Sequence, residues 1–144
     1  MGTHKNILVA VDFSDINQVA VERASKLAQL NHCPLTLLHV IEHFPLDEGP
    51  LSSVFHDSTR ALVHEFIGKL KAMADSLDCK NVKSEVTLTS KSARFEILKF
   101  AREQKVDLIV VAPHGQGVIG SLGSTATGVV NNAHCDVLAV REPG

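Results

Sequence analysis

The stretch Ile7-Leu8-Val9-Ala10-Val11-Asp12 decides the fold of this 144-residue chain. Its first five residues are all aliphatic, and such a run is too short for a helix and too apolar for a half-exposed strand. It therefore predicts a strand from Ile7 to Val11 that is buried on both faces, as strands of parallel sheets are. The run ends on the carboxylate of Asp12.

Four later segments predict further strands. Apolar runs predict buried strands over Leu35 to Ile41, Asp107 to Ala112 and Val137 to Val140. Between them, alternating residues on one face predict a partly exposed third strand; they are Val82, Ser84, Val86 and Leu88.

Apolar residues spaced three and four apart predict a helix between each pair of strands. The predicted inward faces are Ile16, Val19, Ala20, Ala24, Leu27 and Ala28; Leu62, Phe66, Leu70, Met73 and Leu77; Ala93, Ile97, Leu98 and Ala101; and Ala126, Val129, Val130 and Ala133. Ser14 is the expected N-cap of the first helix, and Ser90 or Ser92 that of the third. The prolines and glycine of Glu42 to Ser53 predict a loop over the sheet edge.

The order βαβαβαβαβ predicts the α/β class. Right-handed crossovers then give an open five-stranded parallel sheet with helices on both faces, built as one domain over residues 1–144. Ligands of such sheets bind at the carboxyl ends of the strands, beside the topological switch point.

Composition excludes several classes of function. Lys and Arg number 14 against 16 Asp and Glu, for a net charge of -2, and there is no Trp or Tyr, which argues against nucleic-acid binding. The longest apolar run, Leu108 to Ala112, is far shorter than the roughly 18 residues of a membrane span. Cys33, Cys79 and Cys135 show neither disulfide nor metal spacing, so we expect a reducing, cytoplasmic setting, no metal site, and cysteines that fill apolar space.

Two strand ends carry the candidate chemistry. Asp12 follows the first strand, and a glycine-rich loop from Pro113 leads from the fourth strand to Gly123, Ser124 and Thr125 at the start of the last helix. Glycines before a helix N-terminus present backbone N–H groups to an anion, so phosphate is the expected ligand. The Asp12 carboxylate suits ribose hydroxyls or a cation between phosphates. No P-loop or dinucleotide fingerprint is present.

Plainer interpretations stand beside these. The glycine-rich loop is also explained as a flexible turn, and Asp12 as a residue that caps the first helical turn. His39 and His114 have no ligand-spaced partners and are interpreted as structural. No residue pattern indicates a catalytic nucleophile or a committed general base.

The chain resembles the universal stress protein family over nearly its whole length. The resemblance rests on Lys5-Asn6-Ile7-Leu8-Val9-Ala10-Val11-Asp12-Phe13-Ser14, Leu37-Leu38-His39-Val40, Asp107-Leu108-Ile109-Val110-Val111-Ala112-Pro113-His114-Gly115, Gly123-Ser124-Thr125-Ala126 and Cys135-Asp136-Val137-Leu138-Ala139-Val140-Arg141. It implies a Rossmann-like fold of the adenine nucleotide alpha hydrolase-like type.

The resemblance also implies a nucleotide site. Ala10 and Val40 would flank adenine, and Asp12 would lie near the ribose. The phosphates would meet Gly115, Gly123, Ser124 and Thr125, with Ala112 contributing backbone only. The implied ligand is ATP or AMP, with Mg²⁺ accompanying ATP.

The sequence departs from the motif of nucleotide-binding members at two points. Ala112 stands in place of the first glycine, and seven residues rather than nine separate Gly115 from Gly123. The short loop is similar to that of the universal stress protein A branch, members of which lack tight ATP binding.

Three functions follow from the resemblance as alternatives. The first is a nucleotide-binding stress-response regulator that is not an enzyme and forms a homodimer through its last strand, with no nucleic-acid or membrane partner. The second is a nucleotide-independent dimeric interaction module. The third is a slow ATPase or a phosphoprotein.

Overall fold

The computed structural model describes residues 3–42, 52–113 and 123–141. Within these ranges strands and helices alternate as predicted: β1 (Ile7–Ala10), α1 (Asp15–Asn31), β2 (Leu35–Ile41), α2 (Ser52–Asp75), β3 (Val82–Leu88), α3 (Ala93–Glu103), β4 (Leu108–Val111), α4 (Gly123–Asn132) and β5 (Asp136–Ala139). The predicted α/β class and the alternation of strands and helices along the chain are confirmed.

The strands form one parallel sheet in the order β3-β2-β1-β4-β5. Ile7 of β1 lies opposite Leu35 of β2 on one side and Leu108 of β4 on the other. The chain therefore reverses its direction of winding at β1, and the carboxyl ends of β1, β2 and β4 meet at one edge of the sheet. This edge is the topological switch point, where parallel α/β sheets bind ligands.

Two core layers cover the two faces of the sheet. Alternate residues of β1 supply both layers, because successive side chains of a strand point to opposite faces. Ile7, Val9 and Val11 pack with residues of α1 and α2. Leu8 packs with residues of α3 and α4 in the other layer. The fold is thus a three-layer α/β/α domain.

The buried face of α1 differs from the predicted one. The residues that are fully buried are Asn17, Ala20, Val21, Ala24, Ser25 and Ala28. Val19 and Leu27 are half-buried and pack against the core as predicted, and Ile16, which was also expected to face inward, is half-buried. Asn17 adds a polar residue to this face, because its amide is hydrogen-bonded to the backbone at the end of β1.

Several boundaries also differ. Ser52 and Ser53 belong to α2, so the helix begins before the predicted end of the preceding loop, and residues 43–51 of that loop lie outside the described residues. Ser14 and Ser92 occupy the N-cap positions of α1 and α3, but neither side chain makes a capping hydrogen bond. Ser14 instead bonds to Asp12.

The described helices contain no segment with the length and apolar character that crossing a bilayer requires.

Candidate functional site

A cavity of about 190 Å³ lies at the switch point. The ends of β1, β2 and β4 and the first turns of α1, α3 and α4 form it. Its lining residues are Ala10, Val11, Asp12, Asn17, Leu38, His39, Val40, Glu42, Ala93, Ile97, Val111, Ala112 and Thr125. The structure therefore brings together five residues that the sequence singled out as site residues: Ala10, Asp12, Val40, Ala112 and Thr125.

The other three predicted residues do not line the cavity. Gly123 and Ser124 lie beside it, because they precede Thr125 in the first turn of α4. Gly123 has a φ of 77°, a left-handed conformation that glycine adopts without strain. Gly115 lies outside the described residues.

The cavity is apolar inside and polar at its rim. Leu38, Ile97 and Val111 are fully buried in its wall. The exposed carboxylates of Asp12 and Glu42 stand at its open side. A ligand that fits has a flat apolar part and a polar part that reaches solvent.

The amide of Asn17 holds the backbone on both sides of Val11. Its side chain is only 2% exposed, and its Nδ2 donates to the carbonyl oxygen of Ala10 at 2.8 Å. Its Oδ1 accepts from the backbone N–H of Asp12 at 3.3 Å. The oxygen and the nitrogen of the buried amide therefore both have hydrogen-bond partners, and the bond to the N–H of Asp12 holds the backbone of that residue in place.

Asp12 also organises the start of α1. Its Oδ1 accepts from the backbone N–H of Ser14 at 2.9 Å and from the Ser14 hydroxyl at 2.6 Å. The two interpretations of Asp12 are thus compatible, because one carboxylate both closes this turn and lines the cavity.

His39 connects the cavity to α2. Its Nδ1–H donates to the carbonyl oxygen of Val11 at 2.6 Å. Its ring lies 4.8 Å from the ring of Phe13 and 4.4 Å from that of Phe66 on α2, measured between centroids. Phe13 has a φ of 62°, a conformation that is costly for a residue with a side chain. The ring of Phe13 stacks against that of Phe66.

The surroundings of His39 lower its pKa below the ordinary value. Burial lowers the pKa of His39; the hydrogen bond to Val11 and the charge of Asp12 oppose this effect, and Lys69 adds to it. With the proton fixed on Nδ1 by the Val11 carbonyl, Nε2 is the ring's acceptor atom. The interpretation of His39 as purely structural is therefore incomplete, because its ring lines the cavity.

Helices α3 and α4 both begin at the cavity, and their first turns differ in the acidic side chains near them. The backbone N–H of Ala93, the first residue of α3, donates to Oε2 of Glu42 at 2.8 Å. The described first turn of α4 carries no acidic side chain and begins with Gly123. The positive end of the α3 dipole thus receives a carboxylate from the protein itself.

Sequence reasoning missed Asn17 and Glu42. Asn17 does carry a signal, since it lies three residues before Ala20 and seven before Ala24, in phase with the buried face of α1. Glu42 carries none, because its partner Ala93 is 51 positions away.

Metal ligands do not gather in the described ranges. No group of three His, Cys, Asp or Glu side chains there has an arrangement that could hold an ion. Asp12 by itself suits a cation already carried by a phosphate ligand.

A sequence model of the universal stress protein family matches residues 3–141. The chain belongs to this family. Among curated relatives, universal stress protein A homolog 1 of Coxiella burnetii is 34% identical over 139 residues, which are 95% of this chain and 96% of that protein. A putative universal stress protein of Staphylococcus aureus is 30% identical over 144 residues, covering 98% of this chain and 86% of that one.

Solved structures of universal stress proteins share the fold. UspA of Lactobacillus plantarum matches with a TM-score of 0.80 and 27% identity, over 95% of this chain and 97% of that chain. A universal stress protein in complex with cAMP matches with a TM-score of 0.72 and 22% identity, over 97% and 98%. The Archaeoglobus fulgidus protein in complex with dAMP matches with a TM-score of 0.61 and 20% identity, over 94% and 96%. The predicted Rossmann-like fold and family are confirmed.

Proposed function

We propose that this universal stress protein binds an adenine nucleotide, AMP or ATP, in the cavity at the switch point. It acts as a cytoplasmic, dimeric regulator of a stress response, with residues 1–144 working as one domain and without rapid catalytic turnover. One observation carries the proposal. Five site residues expected from four separate strand ends and helix starts line a single cavity.

The wall chemistry suits the parts of a nucleotide. Ala10 and Val40 are half-buried and apolar, as a surface against adenine must be. Asp12 is exposed, Asn17 holds its backbone, and a carboxylate at this position suits the hydroxyl donors of a ribose. The phosphates then extend toward Gly123, Ser124 and Thr125 at the start of α4, with Gly115 contributing backbone and Mg²⁺ accompanying ATP.

The cavity is smaller than a typical ligand pocket. Its volume of about 190 Å³ lies below the roughly 300–1,000 Å³ of small-molecule sites. It therefore takes one part of the nucleotide, the base, while the ribose and phosphates lie across the rim. Structural neighbours solved with cAMP and dAMP support an adenine ligand.

Identification of the bound ligand tests the proposal. Protein purified from cells without added nucleotide is denatured, and the released small molecules are identified by mass spectrometry. We expect an adenine nucleotide, and we expect the stripped protein to regain it on titration. Stripped protein that takes up no ATP, ADP or AMP would contradict nucleotide binding.

The homodimer is proposed from the edge of the sheet. β5 is an edge strand, and its Val137, Leu138 and Ala139 are only half-buried. Unpaired edge strands invite pairing with a second copy, and cyclic dimers are the commonest closed assembly. Light scattering across micromolar concentrations is expected to give twice the chain mass, and a monomer mass throughout would contradict it.

A nucleotide-independent dimeric module is the second candidate. Ala112 favours it, because a methyl group lies in the cavity wall where nucleotide-binding members of the family carry glycine. It predicts the same dimer and no heat of nucleotide binding. Slow ATP hydrolysis or phosphorylation of Ser124 or Thr125 is tested in the same samples, by product analysis and intact mass.

A further inference from the structure

A second cavity lies at the opposite end of the sheet. It measures about 490 Å³ and is lined by Ala28, Gln29, His32, Cys33, Pro34, Asp78, Cys79, Lys80 and Asn81. Pro34 and Asn81 directly precede β2 and β3, so this cavity lies at the amino ends of the strands. Two of the three cysteines of the chain therefore share one cavity that the nucleotide proposal does not use.

The strand register places the two segments that carry these cysteines side by side. Leu35 lies opposite Val82 in the parallel ladder, and the N–H of Leu35 donates to the carbonyl oxygen of Asn81 at 2.9 Å. Cys33 and Cys79 stand two and three residues before this pair. Paired strands lie about 4.8 Å apart and a disulfide spans Cα separations of roughly 4.4–6.8 Å, so a bond requires the two connections to lie about as close together as the paired strands.

Both thiols also belong to the same face of the sheet. Cys33 is part of the core layer formed with α1 and α2, and Cys79 packs against that layer. Cys135 packs on the opposite layer, with α3 and α4. The sheet therefore separates Cys135 from the other two thiols.

The two thiols differ in exposure. Cys79 is half-buried, whereas Cys33 is 8% exposed. Burial raises the pKa of Cys33, and the nearby charges of Asp107 and Cys79 raise it further. Cys79 is thus the thiol that an incoming reagent meets first, and Cys33 is sheltered behind it.

We propose that Cys33 and Cys79 are a redox-active dithiol pair, which a low-molecular-weight disulfide oxidises to an intramolecular disulfide. The bond joins the α1–β2 connection to the α2–β3 connection. This modification site is independent of the nucleotide proposal, because the two cavities lie at opposite ends of the strands.

The reaction proceeds by two exchanges. The Cys79 thiolate attacks one sulfur of the low-molecular-weight disulfide, forms a mixed disulfide and releases one small thiol. The Cys33 thiolate then attacks Sγ of Cys79, breaks the mixed disulfide and releases the second small thiol. Each cysteine gives up one proton and one electron, and the reagent is reduced to two thiols.

Oxidised glutathione is the probe that tests the pair. The folded chain is incubated with it, quenched with acid, alkylated under denaturing conditions and mapped by mass spectrometry. We expect a peptide joined through Cys33 and Cys79, the loss of two hydrogens from the protein, and an alkylated Cys135. Because Cys33 must ionise, the second exchange is expected to accelerate as the pH rises.

Single substitutions assign the two roles. Cys33→Ser is expected to stop at a mixed disulfide on Cys79, and Cys79→Ser to keep Cys33 as a thiol. Cys135→Ser is the matched control and is expected to behave like the parent. A parent that stops at the mixed disulfide, links two chains, involves Cys135 or keeps three free thiols overturns the proposal. Nucleotide affinity of the oxidised protein, measured separately, is expected to be unchanged.

Discussion

Helices α3 and α4 begin at the same edge of the sheet, yet their first turns have different partners. At α3, the backbone N–H of Ala93 donates to the carboxylate of Glu42. At α4, Gly123 takes a left-handed φ of 77° and is followed by two hydroxyl side chains, with no acidic residue in the described first turn.

The difference indicates where a phosphate would bind. Helix N-termini favour negative charge, and α3 already receives one from Glu42. A second anion there would be repelled by that carboxylate. At α4 the glycine lets an anion approach the backbone closely, so α4 is where we expect a phosphate to bind.

The largest expected effect comes from Gly123→Val. A branched side chain would occupy the space of the anion and is strained at a positive φ by about 1–2 kcal/mol. We expect nucleotide affinity to fall more than tenfold, measured by calorimetry on protein shown by thermal melting to be folded.

Gly68→Ala is the matched control for that substitution. Gly68 lies within α2, and a Cβ added there meets no atom within 4 Å. We expect unchanged nucleotide affinity and a gain in stability of about 0.5–1 kcal/mol, as for a glycine in an exposed helix interior. Folded Gly123→Val protein that binds nucleotide like the parent would remove α4 as the phosphate site.

Asp12→Ala tests the ribose end of the site. Hydrogen bonds to a charged group contribute about 1.5–3 kcal/mol, and because Asp12 is exposed we take the lower end of this range and expect affinity for AMP to fall roughly tenfold. Asp15→Ala, which removes an exposed carboxylate from the first turn of α1 outside the cavity wall, serves as the control. Equal affinity of the parent and Asp12→Ala would leave Asp12 with only its role in the β1–α1 turn.

The pH dependence of the free energy of unfolding tests the environment of His39, which lies on β2. The pKa of His39 is lowered in the folded state, so below its ordinary value of 6.5 the unfolded chain binds more protons. The free energy of unfolding should therefore decrease as the pH falls from 6.5 toward the folded pKa. His39→Asn is expected to reduce this slope, whereas His64→Asn, at an exposed position on α2, is expected to preserve it. Equal slopes in the parent and both variants would contradict the lowered pKa of His39.

The smallest expected effect is that of Glu42→Gln. The substitution keeps the shape of the side chain and removes its charge from the start of α3. Since exposed charges contribute well under about 1 kcal/mol, we expect ATP to bind about twofold more tightly and adenosine to bind equally. Glu103→Gln, at the other end of α3, is the control. Tighter adenosine binding would show that Glu42 acts on the base rather than on phosphate.

The sequence was sufficient for the parts of the site that depend on strand ends. Buried parallel strands are continuous apolar runs, so Asp12 and Ala112 were recognisable at the ends of such runs, whereas Ala10 and Val40 came only from the family resemblance. Because β1 lies between β2 and β4 in the sheet, residues at the carboxyl ends of these three strands lie close together.

The rest of the site depends on contacts that leave no local pattern. The bond from Ala93 to Glu42 joins distant positions, and the stacking of His39 on Phe66 depends on how α2 packs. The inward face of α1 was predicted from apolar residues, and the prediction missed Asn17, whose buried amide is hydrogen-bonded to the backbone. Hydrophobic periodicity does not predict the burial of a polar residue whose hydrogen bonds are all made within the protein.

The most direct test of the account is a calorimetric titration of nucleotide-free protein with AMP and with adenosine. We expect both ligands to bind at one site per chain, AMP to bind more tightly than adenosine, and Gly123→Val to remove the difference between them. Binding of neither ligand, or equal affinity of the parent for both, would contradict a base in the cavity with its phosphate at α4.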